Sequence, residues 1–241
     1  MKLLMKSALK LTYYPLLTKI AIKKLERKQK FDSLEELVDF AFNFYCGINV
    51  RGLKLTIKPS QIKEEIHQLL KILSNLQPKN LLEIGTANGG TLFLFCQIAH
   101  PKAKIISIDL PGGKFGGGYP LWKVPLYKSF AKKKQKIYLL RADSHKPSTF
   151  QKVKSILGNE KLDFLFIDGD HTYEGVKKDF EMYSKLVERE RIIALHDIVY
   201  HPHVPECQVH KFWEKIKRKY KTKEIISSPT QTWAGIGLVF T

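Results

Sequence analysis

The stretch FLFIDGDHTYEG, residues 164–175, decides the architecture. Phe164 to Ile167 are apolar at every position, the pattern of a strand buried on both faces of a sheet. The run stops at Asp168, and Gly169, Asp170 and His171 follow before a helical spacing sets in at 172–187. Carboxylates beside a buried strand are costly to desolvate unless something pairs with them. The end of this strand is therefore expected to face a ligand.

Working outward, the same pattern repeats. Strands are expected at 81–85, 104–110, 136–143, 162–168, 191–198, 224–227 and 235–240, and helices at 91–100, 121–134, 147–157, 172–187 and 209–220. Alternation of this kind over residues 80–241 specifies an α/β fold with a doubly wound, mostly parallel sheet. Such sheets bind ligands outside the carboxyl ends of their strands, where the strand order reverses. The polar residues of this chain collect at those ends.

Residues 1–79 have a different, helical character. Residues 1–30 read as one or two basic amphipathic helices broken near Pro15. Residues 33–45 carry Ser33 as a cap with Glu36 three positions on, and residues 59–77 open in the same way with Ser60. The expected organisation is a helical N-terminal extension over 1–79 and a ligand-binding domain over 80–241.

A chain of 241 residues is long enough for one sizeable core, and its 44% hydrophobic and 27% charged residues are those of an ordinary globular protein. No apolar run approaches the ~20 residues that span a bilayer. Lys6 and Lys10 interrupt the apolar N-terminus where a signal peptide needs continuity. Cys46, Cys96 and Cys207 are far apart and unpaired in spacing, which suits a reducing, cytoplasmic setting. The formal net charge is +18, with nine bases against one acid in residues 1–30 and dense runs at AKKKQK (131–136) and KIKRKYKTK (215–223). A surface of this kind attracts nucleic acid or anionic lipid. A nucleic-acid partner is thus a competing expectation, as are membrane-surface contact and oligomer docking by residues 1–30. Aromatic residues are not interleaved with the basic runs as stacking platforms require.

The strand ends carry the chemistry. After the first comes Glu83-Ile-Gly85-Thr86-Ala87-Asn88-Gly89-Gly90, a turn whose glycines allow tight curvature and close approach of a ligand. A dinucleotide fingerprint would place glycine where Ala87 stands, and Glu83 would repel a pyrophosphate; both weigh against an NAD-dependent oxidoreductase. Glu83 suits a cationic amine instead. Asp109 ends the second strand, placed to accept two ribose hydroxyls. Asp143 and Ser144 end the third, placed either to meet an adenine edge or to cap the following helix. Together these ends match an amine, a ribose and a base, without phosphate.

LLEIGTANGG, SIDL, RADSH, FLFIDGDHTYEG and ALHDI, in this order, resemble the class I S-adenosylmethionine-dependent methyltransferases, and among them the small-molecule O-methyltransferases of the catechol and macrocin type. The resemblance covers about two-thirds of the chain. It implies a seven-stranded sheet of order 3-2-1-4-5-7-6 with the last strand antiparallel and helices on both faces. It implies that Glu83, Gly85, Thr86, Ala87, Asn88 and Gly89 hold the methionine part of the cofactor, Asp109 the ribose, and Asp143 and Ser144 the adenine. Asp168 then faces the methionine end and the acceptor.

In metal-dependent relatives an acid at that position and two ligands after strand five hold a divalent cation, which points to Asp168, His196 and Asp197. A histidine in the set favours Mn²⁺ or Zn²⁺ over Mg²⁺, and a site without metal stays open. His171 is the expected base, since imidazole suits deprotonation of an acceptor hydroxyl. The expected function is O-methylation of a small molecule, a sugar or secondary metabolite. The glycine-rich loop 111–122 reads as a lid whose Phe115, Tyr119 and Trp122 wall the acceptor pocket. His201, His203, Cys207 and His210 fit no common zinc spacing, and their segment reads as a loop covering the substrate.

Overall fold

The computed structural model describes residues 2–28, 30–47 and 54–241. The elements are α1 (Lys2–Arg27), α2 (Leu34–Asn43), β1 (Tyr45–Gly47), β2 (Lys54–Thr56), α3 (Lys63–Leu76), β3 (Asn80–Ile84), α4 (Gly90–Ile98), β4 (Lys104–Asp109), α5 (Val124–Lys128), β5 (Lys136–Arg141), α6 (Pro147–Leu157), β6 (Leu162–Ile167), α7 (Tyr173–Tyr183), β7 (Val187–His196), α8 (Val209–Lys217), β8 (Lys221–Ile225) and β9 (Ile236–Phe240).

Seven strands form one sheet in the order β5-β4-β3-β6-β7-β9-β8. Counted within the sheet this is 3-2-1-4-5-7-6, with the last strand, β9, antiparallel to both neighbours, as expected. The strand order reverses between β4 and β6 across β3, which both flank in parallel. That reversal opens the crevice at the carboxyl edge of the sheet.

The continuous apolar strands bury both faces. Leu81, Ile105, Phe164 and Phe166 point into one core, shared with α2, α3 and α4 and with Leu17, Ala21 and Leu25 of α1. Leu82, Ile84, Ile106, Leu165 and Ile167 point into the other, under α6, α7 and α8. The first core runs without a break across residue 79, so the N-terminal helices complete the sandwich.

Several local expectations give way to packing. α1 runs through Pro15, although proline forfeits one helical hydrogen bond; burial of Leu17, Ala21 and Leu25 offsets that loss. Ser33 caps α2 through Glu36 N, while the Glu36 carboxylate accepts from Asp32 N. The second cap does not form: α3 starts at Lys63 after Ile62, with no side-chain cap, because Ser60 and Gln61 lead to the crevice instead. The helix expected over 121–134 ends at Lys128, β8 begins at Lys221 rather than 224, and the pair β1–β2 is a ribbon no periodicity announced. No helix among the described residues is long and apolar enough to cross a membrane.

Candidate active site

A cavity of about 400 Å³ opens where β3, β4, β5, β6 and β7 end. Five aspartates line it, Asp109, Asp143, Asp168, Asp170 and Asp197, with Gly85, Ala87, Ser144, His171 and His196 between them. Among the described residues Lys114 is the one lysine on its wall, and no arginine lines it. In a chain of net charge +18 this is a local excess of acid.

The turn after β3 is built by close approach. Gly85 has φ +98°, and a Cβ there would lie 1.9 Å from the Asp168 carbonyl oxygen; no other residue fits. Ala87 adopts φ 43°, a left-handed conformation that costs a non-glycine residue free energy. It is held by its own N–H, which donates to Asp109 Oδ2 at 2.7 Å, and by Tyr127 Oη, which donates to its carbonyl at 2.8 Å. Asp109 also accepts from Thr86 N at 3.1 Å and, through Oδ1, from Gly118 N at 2.6 Å. Its carboxylate thus clamps the turn to the loop 111–122. Burial raises its pKa and the three amides oppose that rise.

Glu83 does not reach the cavity. It is fully buried, accepting from Ser107 Oγ at 3.0 Å and from Thr91 Oγ1, while Ser107 and Thr86 share a further hydroxyl contact. Desolvation pushes its pKa up to about 8 against the two hydroxyls. Thr86, Asn88 and Gly89 also lie behind the wall. Asn88 Oδ1 accepts from Lys123 Nζ at 3.2 Å, and a Cβ on Gly89 would meet the Tyr127 ring. Of the expected cofactor-facing residues, Gly85, Ala87, Asp109, Asp143, Ser144 and Asp168 line the space. Asp143 Oδ1 additionally accepts from His145 N at 2.8 Å.

At the ends of β6 and β7 two imidazoles and two carboxylates interlock. His196 Nδ1 lies 3.0 Å from Asp168 Oδ1 and 3.4 Å from Asp197 Oδ2, and His171 Nδ1 lies 2.7 Å from that same Asp197 oxygen. His171 Nε2 is 3.9 Å from Asp168. Burial alone would lower the His171 pKa, but Asp197, Cys207 and Asp168 outweigh it and hold it at about 10. These partners favour the imidazolium form of His171. The same carboxylates raise His196 against its burial, and the imidazoles hold Asp197 low.

Asp168, His196 and Asp197 bring three donor atoms within 4.8 Å of one another. Two ligands at ~2.1 Å from one ion and at right angles sit ~3.0 Å apart, so the His196–Asp168 separation fits a shared divalent cation.

The loops complete the wall. Phe115 covers His171, ring centroids 4.9 Å apart. Tyr119 is buried, and Trp122 turns away to stack on Tyr14 of α1 at 4.4 Å; of the three aromatics only Phe115 lines the cavity. His201, Val204 and Cys207 line it from the loop after β7, as expected of a covering segment, and Trp233 lines it from the β8–β9 connection. Gln61 was not foreseen: its Nε2 donates to Asp168 Oδ2 at 2.7 Å. It follows Ser60 in the stretch read as a helix start, and only the acid it serves hinted at a donor.

The strand order and the place of the cavity at its switch point are similar to those of the class I methyltransferase fold. Residues 82–198 match the family model described as a methyltransferase domain. Similar solved structures include the O-methyltransferase TomG of Streptomyces achromogenes, involved in tomaymycin synthesis, in complex with SAM (16% identity, 88% of this chain and 92% of that one, TM-score 0.51). An O-methyltransferase of Bacillus cereus in complex with SAH (16%, 88% and 92%, 0.55) and cofactor-bound Rv0187 from MTB (13%, 91% and 95%, 0.55) are similar as well. Among curated proteins, the uncharacterized protein y4gI of Sinorhizobium fredii is 24% identical over 170 residues; the match spans 68% of this chain and 17% of that protein's length.

Proposed function

We propose that this chain transfers the methyl group of S-adenosylmethionine to a hydroxyl of a small molecule, a sugar or secondary metabolite. The observation that carries the proposal is the ring of five aspartates around one cavity at the sheet's switch point. A ligand with a sulfonium and an ammonium group is attracted there, and a pyrophosphate is repelled. The solved O-methyltransferases of like fold with SAM or SAH bound support the same reading.

Gly85 and Ala87 with Asp168 flank the methionine arm, Asp109 meets the ribose hydroxyls beside its three amide donors, and Asp143 and Ser144 meet the adenine. Glu83, Thr86, Asn88 and Gly89 act from behind, by shaping the turn. The acceptor oxygen attacks the methyl carbon in line with the departing sulfur, so its proton must leave near the transition state. Asp197 holds His171 Nδ1, which orients Nε2 to take that proton, and Phe115 shields the pair from water. Asp168, His196 and Asp197 would hold a divalent cation, of the Mn²⁺ or Zn²⁺ kind rather than Mg²⁺; when bound, such an ion polarises a coordinated hydroxyl and lowers its pKa.

The basic runs do not favour a nucleic-acid acceptor. Residues 131–136 precede β5, and residues 215–223 lead into β8, which runs parallel to β7. Both runs therefore lie at the edge of the sheet opposite the cavity. Titration calorimetry tests the proposal: heat with S-adenosylmethionine and S-adenosylhomocysteine but none with NAD is expected, and no heat with either of the first two overturns it.

A further inference from the structure

Cys207 is one of three free, buried cysteines, and unlike Cys46 and Cys96 it stands on the cavity wall. Backbone ties place it there. Cys207 N donates to Val204 O at 2.8 Å, and Gln208 N donates to His171 O at 2.7 Å, locking the loop after β7 onto the β6–α7 turn. Its sulfur, a ring nitrogen of His171 and a carboxylate oxygen of Asp197 all lie within 4.8 Å of one another. Asp197 reaches this position in a left-handed conformation, φ 59°, which a non-glycine residue keeps only when its surroundings impose it. Val199 N, donating to Ala234 O at 3.0 Å, is part of that restraint.

We propose that His171, Asp197 and Cys207 form a binding site for a thiophilic divalent cation such as Zn²⁺, an alternative to the Asp168–His196–Asp197 set with which it shares Asp197. One thiolate, one imidazole and one carboxylate make the three-ligand complement of an open tetrahedral site, the fourth position facing the cavity. Ligand atoms at 2.0–2.3 Å from such an ion stand roughly 3.3–3.8 Å apart, within the span this cluster covers once His171 and Asp197 separate from hydrogen-bond distance. The sulfur gives the selection: the Asp168 set offers only oxygen and nitrogen, whereas thiolate prefers soft ions. On binding, the thiol and any imidazolium proton pass to solvent. The inference stands apart from the methyl-transfer reading, but the two meet at His171 and Asp197: an ion held there removes the imidazole from proton transfer and takes the carboxylate from the Asp168 set.

Co²⁺ titrated into the full-length chain provides the test, since a cobalt–thiolate bond gives a near-ultraviolet charge-transfer absorption. The band is expected in the wild type, in Cys46→Ser and in Asp168→Asn, and lost in Cys207→Ser. On the wild type alone, Zn²⁺ should slow alkylation of Cys207, located by mass spectrometry, and a chelator should restore it. No band in the wild type, a band persisting in Cys207→Ser, or alkylation indifferent to Zn²⁺ overturns the proposal. S-adenosylhomocysteine calorimetry on the same preparations reports separately on the methyltransferase reading.

Discussion

Replacing Glu83 by glutamine tests how the central strand tolerates a sealed carboxyl. Glu83 is fully buried, with two hydroxyl donors and no cationic partner, and desolvation raises its pKa from 4.5 to about 8. Below pH 4.5 it is protonated in both folded and unfolded chains. Between 4.5 and about 8 only the folded chain keeps the proton, so stability falls as pH rises through this window. Above about 8 both states are ionised and the cost stops growing. The spread of about 3.5 pH units corresponds to about 5 kcal/mol, at 1.36 kcal/mol per unit, an upper bound that relaxation and water entry reduce to a few kcal/mol.

Glutamine keeps the shape, accepts from Thr91, and donates to Ser107, whose hydroxyl can turn. The stability difference between Glu83→Gln and wild type should therefore grow in the variant's favour from pH 5 to pH 8.5. For a chain of this size ~3 kcal/mol is about 10 °C in Tm. Urea unfolding at several pH values reads it directly. Parallel wild-type and variant curves over that range would refute the argument, because they would mean Glu83 is solvated or paired.

His171→Ala should slow methyl transfer ~10²-fold or more with cofactor affinity kept; an unchanged turnover removes His171 from the chemistry. Because the base must be unprotonated and its partners hold it at about 10, kcat/KM measured in chelator should rise with pH through neutrality, a profile flat from pH 7 to 9 being the contrary result. Adding Mn²⁺ should move that rise to lower pH, by engaging the carboxylates that hold the proton. Gly85→Ala places a Cβ 1.9 Å from the Asp168 carbonyl oxygen at φ +98°, so thermal melting should show a loss of at least ~3 kcal/mol; a wild-type Tm would mean the turn moves freely.

The strands from residue 80 onward were legible because doubly buried strands need unbroken apolar runs, and the polar stops at Asp109, Asp143 and Asp168 marked the rim. What sequence could not supply was direction. Glu83 sits in the expected motif, yet the pleat turns it inward to Ser107 and Thr91. Cys207 was grouped with the histidines nearest in sequence, whereas its neighbours in space are Asp197, ten residues back at the end of β7, and His171 from the end of β6. Ser60 and Gln61 were read as the start of a helix; the nearby carboxylate of Asp168 offered Gln61 a stronger hydrogen bond than a cap would. Pro15 marked a break that tertiary burial overrode.

The clamp on Asp109 has a consequence for traffic. One end of the glycine-rich loop is pinned where Gly118 N meets that carboxylate, and beyond it Trp122 is bolted to Tyr14 and to the Thr18 hydroxyl. Between those ties and β4 run Pro111 to Gly117, a few residues that place Phe115 against His171. Under the proposed function, a spent cofactor resting on Asp109 would leave past the pinned end of this loop, whereas a methylated product would leave past Phe115.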